Sequence, residues 1–371
     1  MPSKFSNIFN SLKNALGKKR SDSVVGVDVG GSSVKVVELR KEKGRAVLMT
    51  YGELALGPYN NQEIGKSVIL EPEEIASAIK DVLKESNVTT KEAVVSIPLR
   101  SSLLTVIEIP FVDKDKMDQM IPLEARKYIP VPISEVTLDW WIIPKQEDSA
   151  KFKSPVYSKK SSTAEVLIVA IHNSAIEKYQ KAFELASLNP KSFEIESFSA
   201  MRSVFKHDMS ATMVIDVGAS STKIVIVDFG IVRTSHILSK GSQDITLALS
   251  KSLGIDFLKA EEVKRQFGTL SKQDASVTSV VTQTVEYLLY EANKILGNYQ
   301  KKSHRSIDKV ILIGGGSTLK NFKELVEKNF GTQVLYGDPF SKTETPAFWE
   351  PVLKEAGPSF AVAVGLALKE L

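Results

Sequence analysis

The sequence predicts a bilobed α/β fold in which one strand–turn–strand unit occurs twice and a small α+β unit interrupts the first copy. Three observations carry this. The octapeptide Asp28-Val29-Gly30-Gly31-Ser32-Ser33-Val34-Lys35 returns in the second half of the chain as Asp216-Val217-Gly218-Ala219-Ser220-Ser221-Thr222-Lys223. Each copy lies between two β-branched runs, so each reads as the tip of a hairpin. A third apolar run, VILI at 310–313, ends in Gly314-Gly315-Gly316 and leads into a helical pattern. Repetition over this distance implies two copies of one supersecondary unit.

The elements follow in order. VVGVDVG and VKVVEL form the first hairpin. EPEEIASAIKDVLKES places Pro72 at a helix start and Ile75, Ile79, Val82 and Leu83 on one face. AVVSIP at 93–98 is a buried strand. Residues 101–189 are the inserted unit. SLLTVIEIP alternates, Met117, Met120 and Ile121 mark a helix, TLDWWIIP and AEVLIVAI are strands, and SAIEKYQKAFELAS is an amphipathic helix. The polar stretch 145–163 between the two strands reads as a hairpin loop. SFSAMRSVF is a further helix. MVIDVGASSTKIVIVD then repeats the opening, followed by helices near 243–253, 256–267 and 275–300. A helix over 317–330, a short strand VLYG and an apolar helix over 358–371 complete the chain. The expected division is a first lobe of 21–100, completed by 190–210 and 347–371, the insertion at 101–189, and a second lobe of 211–346 with a helical part at 241–304.

Composition narrows the chemistry. The 371 residues suggest two or three domains. With no Cys, disulfides and thiolate chemistry are excluded. His172, His207, His236 and His304 are far apart and show no zinc spacing. Neither a P-loop, a G-x-G-x-x-G fingerprint nor a G-x-S-x-G elbow occurs. No apolar run approaches the roughly 20 residues that span a bilayer, and the start lacks a signal-peptide pattern. Net charge is +4, yet the first 20 residues hold Lys4, Lys13, Lys18, Lys19 and Arg20 and no acid. The rest is nearly neutral, so the basic balance implies no nucleic-acid partner. Phe5, Ile8, Phe9, Leu12 and Leu16 share one helical face beside those cations, a pattern that suits an anionic membrane surface at residues 4–20.

The repeated octapeptide has a chemical reading. Small residues let backbone N–H groups approach a phosphate without Cβ clashes, and Ser32, Ser33, Ser220 and Ser221 add donors. Lys35 and Lys223 balance phosphate charge. Asp28 and Asp216, at the strand ends, suit Mg²⁺ held through water, because Mg²⁺ dehydrates reluctantly. Two such hairpins facing each other would clamp a triphosphate.

On these residues the chain resembles the actin-like (ribonuclease H-like) ATPase superfamily, from about residue 24 to its end. The first phosphate motif of that superfamily falls on Asp28, Gly30 and Lys35, and the second on Asp216, Gly218, Ser220 and Ser221. The resemblance implies an adenosine turn at Gly314, Gly315, Gly316 and Ser317. It also implies a ribose-side helix carrying Ala260, Glu261 and Lys264. LEARKYIPVPISEVTLDW at 123–140 and PSFAVAVGLAL at 358–368 resemble the PilM side of the FtsA/PilM branch. That resemblance implies ATP and Mg²⁺ as cofactors and a cytoplasmic place at the inner face of the membrane. It implies the tail of a PilN-like membrane protein as partner, beside other pilus platform components. The tail would lie in a groove between the insertion and the first lobe, with Tyr128, Trp140 and Trp141 as candidate lining.

Hydrolysis needs a group that orients the attacking water. Actin uses a Gln before the second phosphate strand. The matching stretch IESFSAMRSVF has none, and offers Glu196, Ser197 or Ser199. The sequence therefore supports nucleotide binding with at most slow hydrolysis. An FtsA-like division or filament scaffold is the alternative function. A sugar kinase lacks support, because no second motif supplies an Asp base and a polar sugar pocket.

Overall fold

The computed structural model of the chain describes residues 23–110, 114–143, 163–206, 209–269 and 275–371. The amphipathic segment 4–20, nearly all of the polar stretch 145–163 and His207 lie outside the described residues. The first lobe opens with β1 (Ser23–Val29), β2 (Ser33–Glu42), β3 (Arg45–Ala55), α1 (Pro72–Glu85) and β4 (Glu92–Ile97). The insertion holds β5 (Ser102–Pro110), α2 (Lys114–Ala125), β6 (Val136–Ile143) and β7 (Thr163–His172). The chain returns through α3 (Asn173–Leu185), β8 (Asn189–Ile195) and α4 (Glu196–Val204). The second lobe has β9 (Thr212–Val217), β10 (Thr222–Asp228), β11 (Ile231–Leu238), α5 (Ser242–Leu253), α6 (Phe257–Phe267) and α7 (Ala275–Ser303). It ends with β12 (Lys309–Ile313), α8 (Phe322–Phe330) and β13 (Gln333–Tyr336), before α9 (Glu350–Leu368) crosses back to the first lobe.

The duplication is visible in the sheets. One runs β3-β2-β1-β4-β8 and the other β11-β10-β9-β12-β13. In both, the first three strands are antiparallel and the next two pair in parallel. The register matches too: Asp28 lies opposite Lys35, and Asp216 opposite Lys223. Third strands β3 and β11 follow tight turns at Lys43-Gly44 and Phe229-Gly230, where all four residues take positive φ. Apolar runs on β1 and β4 are almost fully buried because helices cover both faces of a parallel sheet centre.

The insertion is a three-stranded sheet, β5-β7-β6, with α2 laid against it through buried Met117 and Ile121. Helix α3 follows the inserted sheet. Its Tyr179, Ala182 and Phe183 join the same buried cluster as Ile75, Ile79 and Val82 of α1, and the helix packs on α1. Two helices also differ from their expected spans. The final helix begins at Glu350 and carries Pro358 inside it, where the sequence placed its start. Residues 315–318 form a separate 3-10 turn, and Asn321, at φ +60°, ends the continuity expected over 317–330. The segment Ala347–Leu368 is the one described stretch of helix long and apolar enough to cross a membrane. Here it is a core helix, packed on β1, β2 and α4.

Candidate functional site

Both hairpins open onto one cleft between the lobes, with a volume of about 810 Å³. Each is closed by the same bond, Gly30 N–H to Ser33 O and Gly218 N–H to Ser221 O, both 3.0 Å. Those two N–H groups are spent within the turns. The hairpins almost touch: a Cβ on Gly31 would come within 3.2 Å of Ser220 Oγ. The start of α5 buttresses the second hairpin, with Ser242 and Gln243 N–H donating to Gly218 and Ala219 carbonyls. Gln243 Oε1 also accepts Ser67 N–H at 2.7 Å, joining the lobes beside the cleft.

At the cleft floor the two copies cease to be equivalent. Lys35 turns to its own lobe, 3.0 Å from Glu53 Oε1, and donates to Ser33 Oγ at 2.6 Å. Lys223 reaches across lobes, 2.7 Å from Glu196 Oε2 and 3.2 Å from Asp216 Oδ2. Burial opposes the charge on Lys223, but Asp216 and Glu196 outweigh it and hold its pKa above the ordinary range. Asp28 accepts from Ser96 Oγ at 2.8 Å. Burial, reinforced by Glu196 nearby, pushes its pKa up to about 6, against the pull of Lys35. Burial alone would also raise Glu53, yet Lys35 and Ser33 hold it below the usual carboxylate range.

The far end of the cleft is built from the glycine turn and α6. Gly314 has φ +80° and donates its N–H to Pro358 O at 2.7 Å, and a Cβ there would strike Asp216 Oδ1. Gly315 and Gly316 line the wall with Leu319, Tyr336 and Val352. Glu261 also lines it, paired with Lys264 at 2.6 Å and Arg265 at 2.9 Å. Burial would raise Glu261, but those cations keep it below its ordinary range.

A family model described as type IV pilus assembly protein PilM matches residues 26–371. The chain belongs to the PilM family. Its fold is actin-like. A solved PilM–PilN type IV pilus biogenesis complex is similar with a TM-score of 0.79 at 24% identity, over 95% of this chain and 99% of that one. MreB5 of Spiroplasma citri bound to ADP gives 0.51 at 12% identity, over 95% and 97%. The cell division protein FtsA of Buchnera aphidicola is 22% identical over 85% of this chain and 84% of its own length. FtsA of Helicobacter pylori is 28% identical over 54% of this chain, which spans less than half, 46%, of that relative.

Within this PilM-family chain most of the residues singled out in the sequence meet at the cleft, while Ser197, Ser199, Ser220, Ser221, Ala260 and Ser317 do not line it. Ser199 is fully buried and bonds Glu194 beneath α9, so it is not placed to orient a cleft water. Ser317 is fully buried and its hydroxyl closes the glycine turn onto Gly314 O. Ser221 serves the turn through its carbonyl, and Ser220 faces Gly31. Glu196 is the candidate that reaches the floor, and Ser197 is buried. Sequence reasoning missed Glu53, Ser96, Arg265 and Tyr336. Only Tyr336 carried a signal, as the end of an apolar strand beside a glycine.

The floor fits a cation at Asp28 better than at Asp216. No ion pair among the described residues engages Asp28 directly, and burial, reinforced by Glu196, raises its pKa. Asp216 already holds an ammonium. No group of three His, Asp or Glu suited to a metal occurs among the described residues. A divalent ion at Asp28 would therefore share its shell with water and with phosphate oxygens. Of the candidate groove residues, Trp140 packs into the inserted core, while Trp141 and Tyr128 are about half exposed, at 49% and 48%.

Proposed function

We propose that this chain is a cytoplasmic, nucleotide-dependent assembly platform of a type IV pilus or a related secretion or competence machine. It sits peripherally at the inner face of the cytoplasmic membrane. There it holds the cytoplasmic tail of a PilN-like protein alongside other platform components. The observation that carries the reading is the meeting of two D-x-G hairpins at one cleft floor in a PilM-family chain. The partner is supported by the likeness to a PilM–PilN complex, and the groove by exposed Trp141 and Tyr128 on the insertion.

ATP with Mg²⁺ is the proposed ligand. Lys35 and Lys223 face the polyphosphate, Asp28 anchors the cation, and the glycine turn with Glu261 and Tyr336 receives the nucleoside. Mg²⁺ would supply charge screening of the phosphates. Binding, with at most slow hydrolysis, is the proposed role. A closed cleft would alter tail affinity through a coupling of about 1–3 kcal/mol.

Nucleotide titration of wild type and Asp216→Ala tests the site. We expect at least a tenfold loss of affinity with an unchanged circular dichroism spectrum, and equal affinities would overturn the assignment. An FtsA-like scaffold is the second reading, favoured by the 22% identity that spans most of both chains. Mg-ATP-dependent light scattering without tail binding would select it.

A further inference from the structure

Glu196 joins three parts of the molecule that the nucleotide reading leaves separate. It opens α4 in the first lobe and is buried. One carboxylate oxygen accepts Lys223 Nζ from the second-lobe hairpin at 2.7 Å. The other accepts the backbone N–H of Leu99 at 2.7 Å. Leu99 begins the 3-10 turn Leu99–Ser101 that runs directly into β5, the root of the inserted sheet. That sheet also leans on the second lobe through Arg233 to Glu165 at 2.9 Å and Lys302 to Glu108 at 3.2 Å. The insertion is thus held from both lobes, and one of its anchors shares a carboxylate with the cleft floor.

Lys35 offers no such route, because its partners Glu53 and Ser33 belong to the first lobe's own hairpin strands. Lys223 is the cross-lobe cation. A polyphosphate entering the cleft offers Lys223 a more highly charged partner than Glu196. A buried carboxylate that loses its cation while facing a second carboxylate, Asp28, is driven toward a new arrangement.

We propose that Glu196 is the positioning residue through which a polyphosphate in the cleft releases the root of the inserted sheet. Anion capture of Lys223 removes one of Glu196's two partners, the Leu99 anchor loosens, and β5 shifts against the first lobe. The proposal rests on the nucleotide reading and adds the route from the cleft to the tail groove.

Amide hydrogen exchange of the full chain tests it, with and without the nonhydrolysable analogue AMPPNP and Mg²⁺. Analogue binding is measured separately by calorimetry. Exchange over 99–107 is expected to rise at least threefold on binding in wild type. In Lys223→Met it is expected to be raised already without ligand, while exchange in β12 stays unchanged. In Glu196→Gln, which keeps an acceptor for Leu99 but loses the charge, the ligand response should fall below twofold. Analogue bound with flat exchange over 99–107 in wild type overturns the relay and leaves the site intact. No analogue binding in wild type overturns the nucleotide reading, and the relay with it.

Discussion

A carboxylate buried near a second carboxylate holds its proton more tightly, and Asp28 has that position beside Glu196. Its pKa, raised from 3.8 to about 6, means that the folded chain binds this proton more tightly than the unfolded chain. The associated stability is therefore fully present below the unfolded value and is lost as pH rises through about 6. The shift corresponds to at most about 3 kcal/mol. Asp28→Asn should accordingly be more stable than wild type at pH 7 by about 1–3 kcal/mol in denaturant unfolding, with the advantage gone below pH 4. An equal difference at both pH values would contradict the charge assignment. The hairpin tips at Asp28–Lys35 and Asp216–Lys223 were legible in the repeated octapeptide, and the fold sets Asp28 opposite Lys35 and Asp216 opposite Lys223. The unequal partners were not legible. Glu53 and Ser96 come from strands that only the folded sheet brings to the floor, and Glu196, offered by the sequence as a water-orienting group, stands there as the partner of Lys223.

At the scale of elements, α9 is the tie between the lobes. It lies so close to β1 and α4 that a Cβ on Gly26 would sit 2.1 Å from Ala363 O, and one on Gly365 would sit 1.8 Å from Ser199 O. Neither neighbour can yield, since both are backbone atoms. Gly26→Ala should cost about 1–3 kcal/mol or more, the range of an overpacked core, measured by thermal or denaturant unfolding. A loss below about 0.5 kcal/mol would show that the helix can lift away. The sequence announced this helix by its apolar run but misplaced its start, because Pro358 reads as a boundary. In the fold Pro358 sits within the helix, and its carbonyl accepts Gly314 N–H from the glycine turn. Strands β3 and β11 went unread for a different reason. Both carry polar and apolar residues with only partial burial, so the Lys43-Gly44 and Phe229-Gly230 turns were their main sign.

At the scale of the whole molecule, polar contacts that join the two lobes near the cleft include Lys223 with Glu196, Ser67 with Gln243, and Gly314 with Pro358. A ligand that replaces the first has leverage over lobe closure, and the insertion leans on both lobes. The fold class was legible from a repeated octapeptide, while the packing of α3 on α1 was not. The repeat marks each lobe locally, whereas α3 joins the first-lobe core only through tertiary packing. The proposed membrane attachment through residues 4–20 belongs to this scale as well. Removing residues 1–20 should lower co-sedimentation with anionic liposomes several-fold, and more so at low salt. Equal binding with and without the segment would assign it another role. A nucleotide-dependent platform should grip a membrane-protein tail with an affinity that nucleotide changes. Calorimetric titration with a PilN-like cytoplasmic tail peptide, with and without Mg-ATP, tests it most directly. Tail binding is expected, with a dissociation constant that shifts about fivefold or more with nucleotide. Mg-ATP binding with no tail binding under either condition would contradict it.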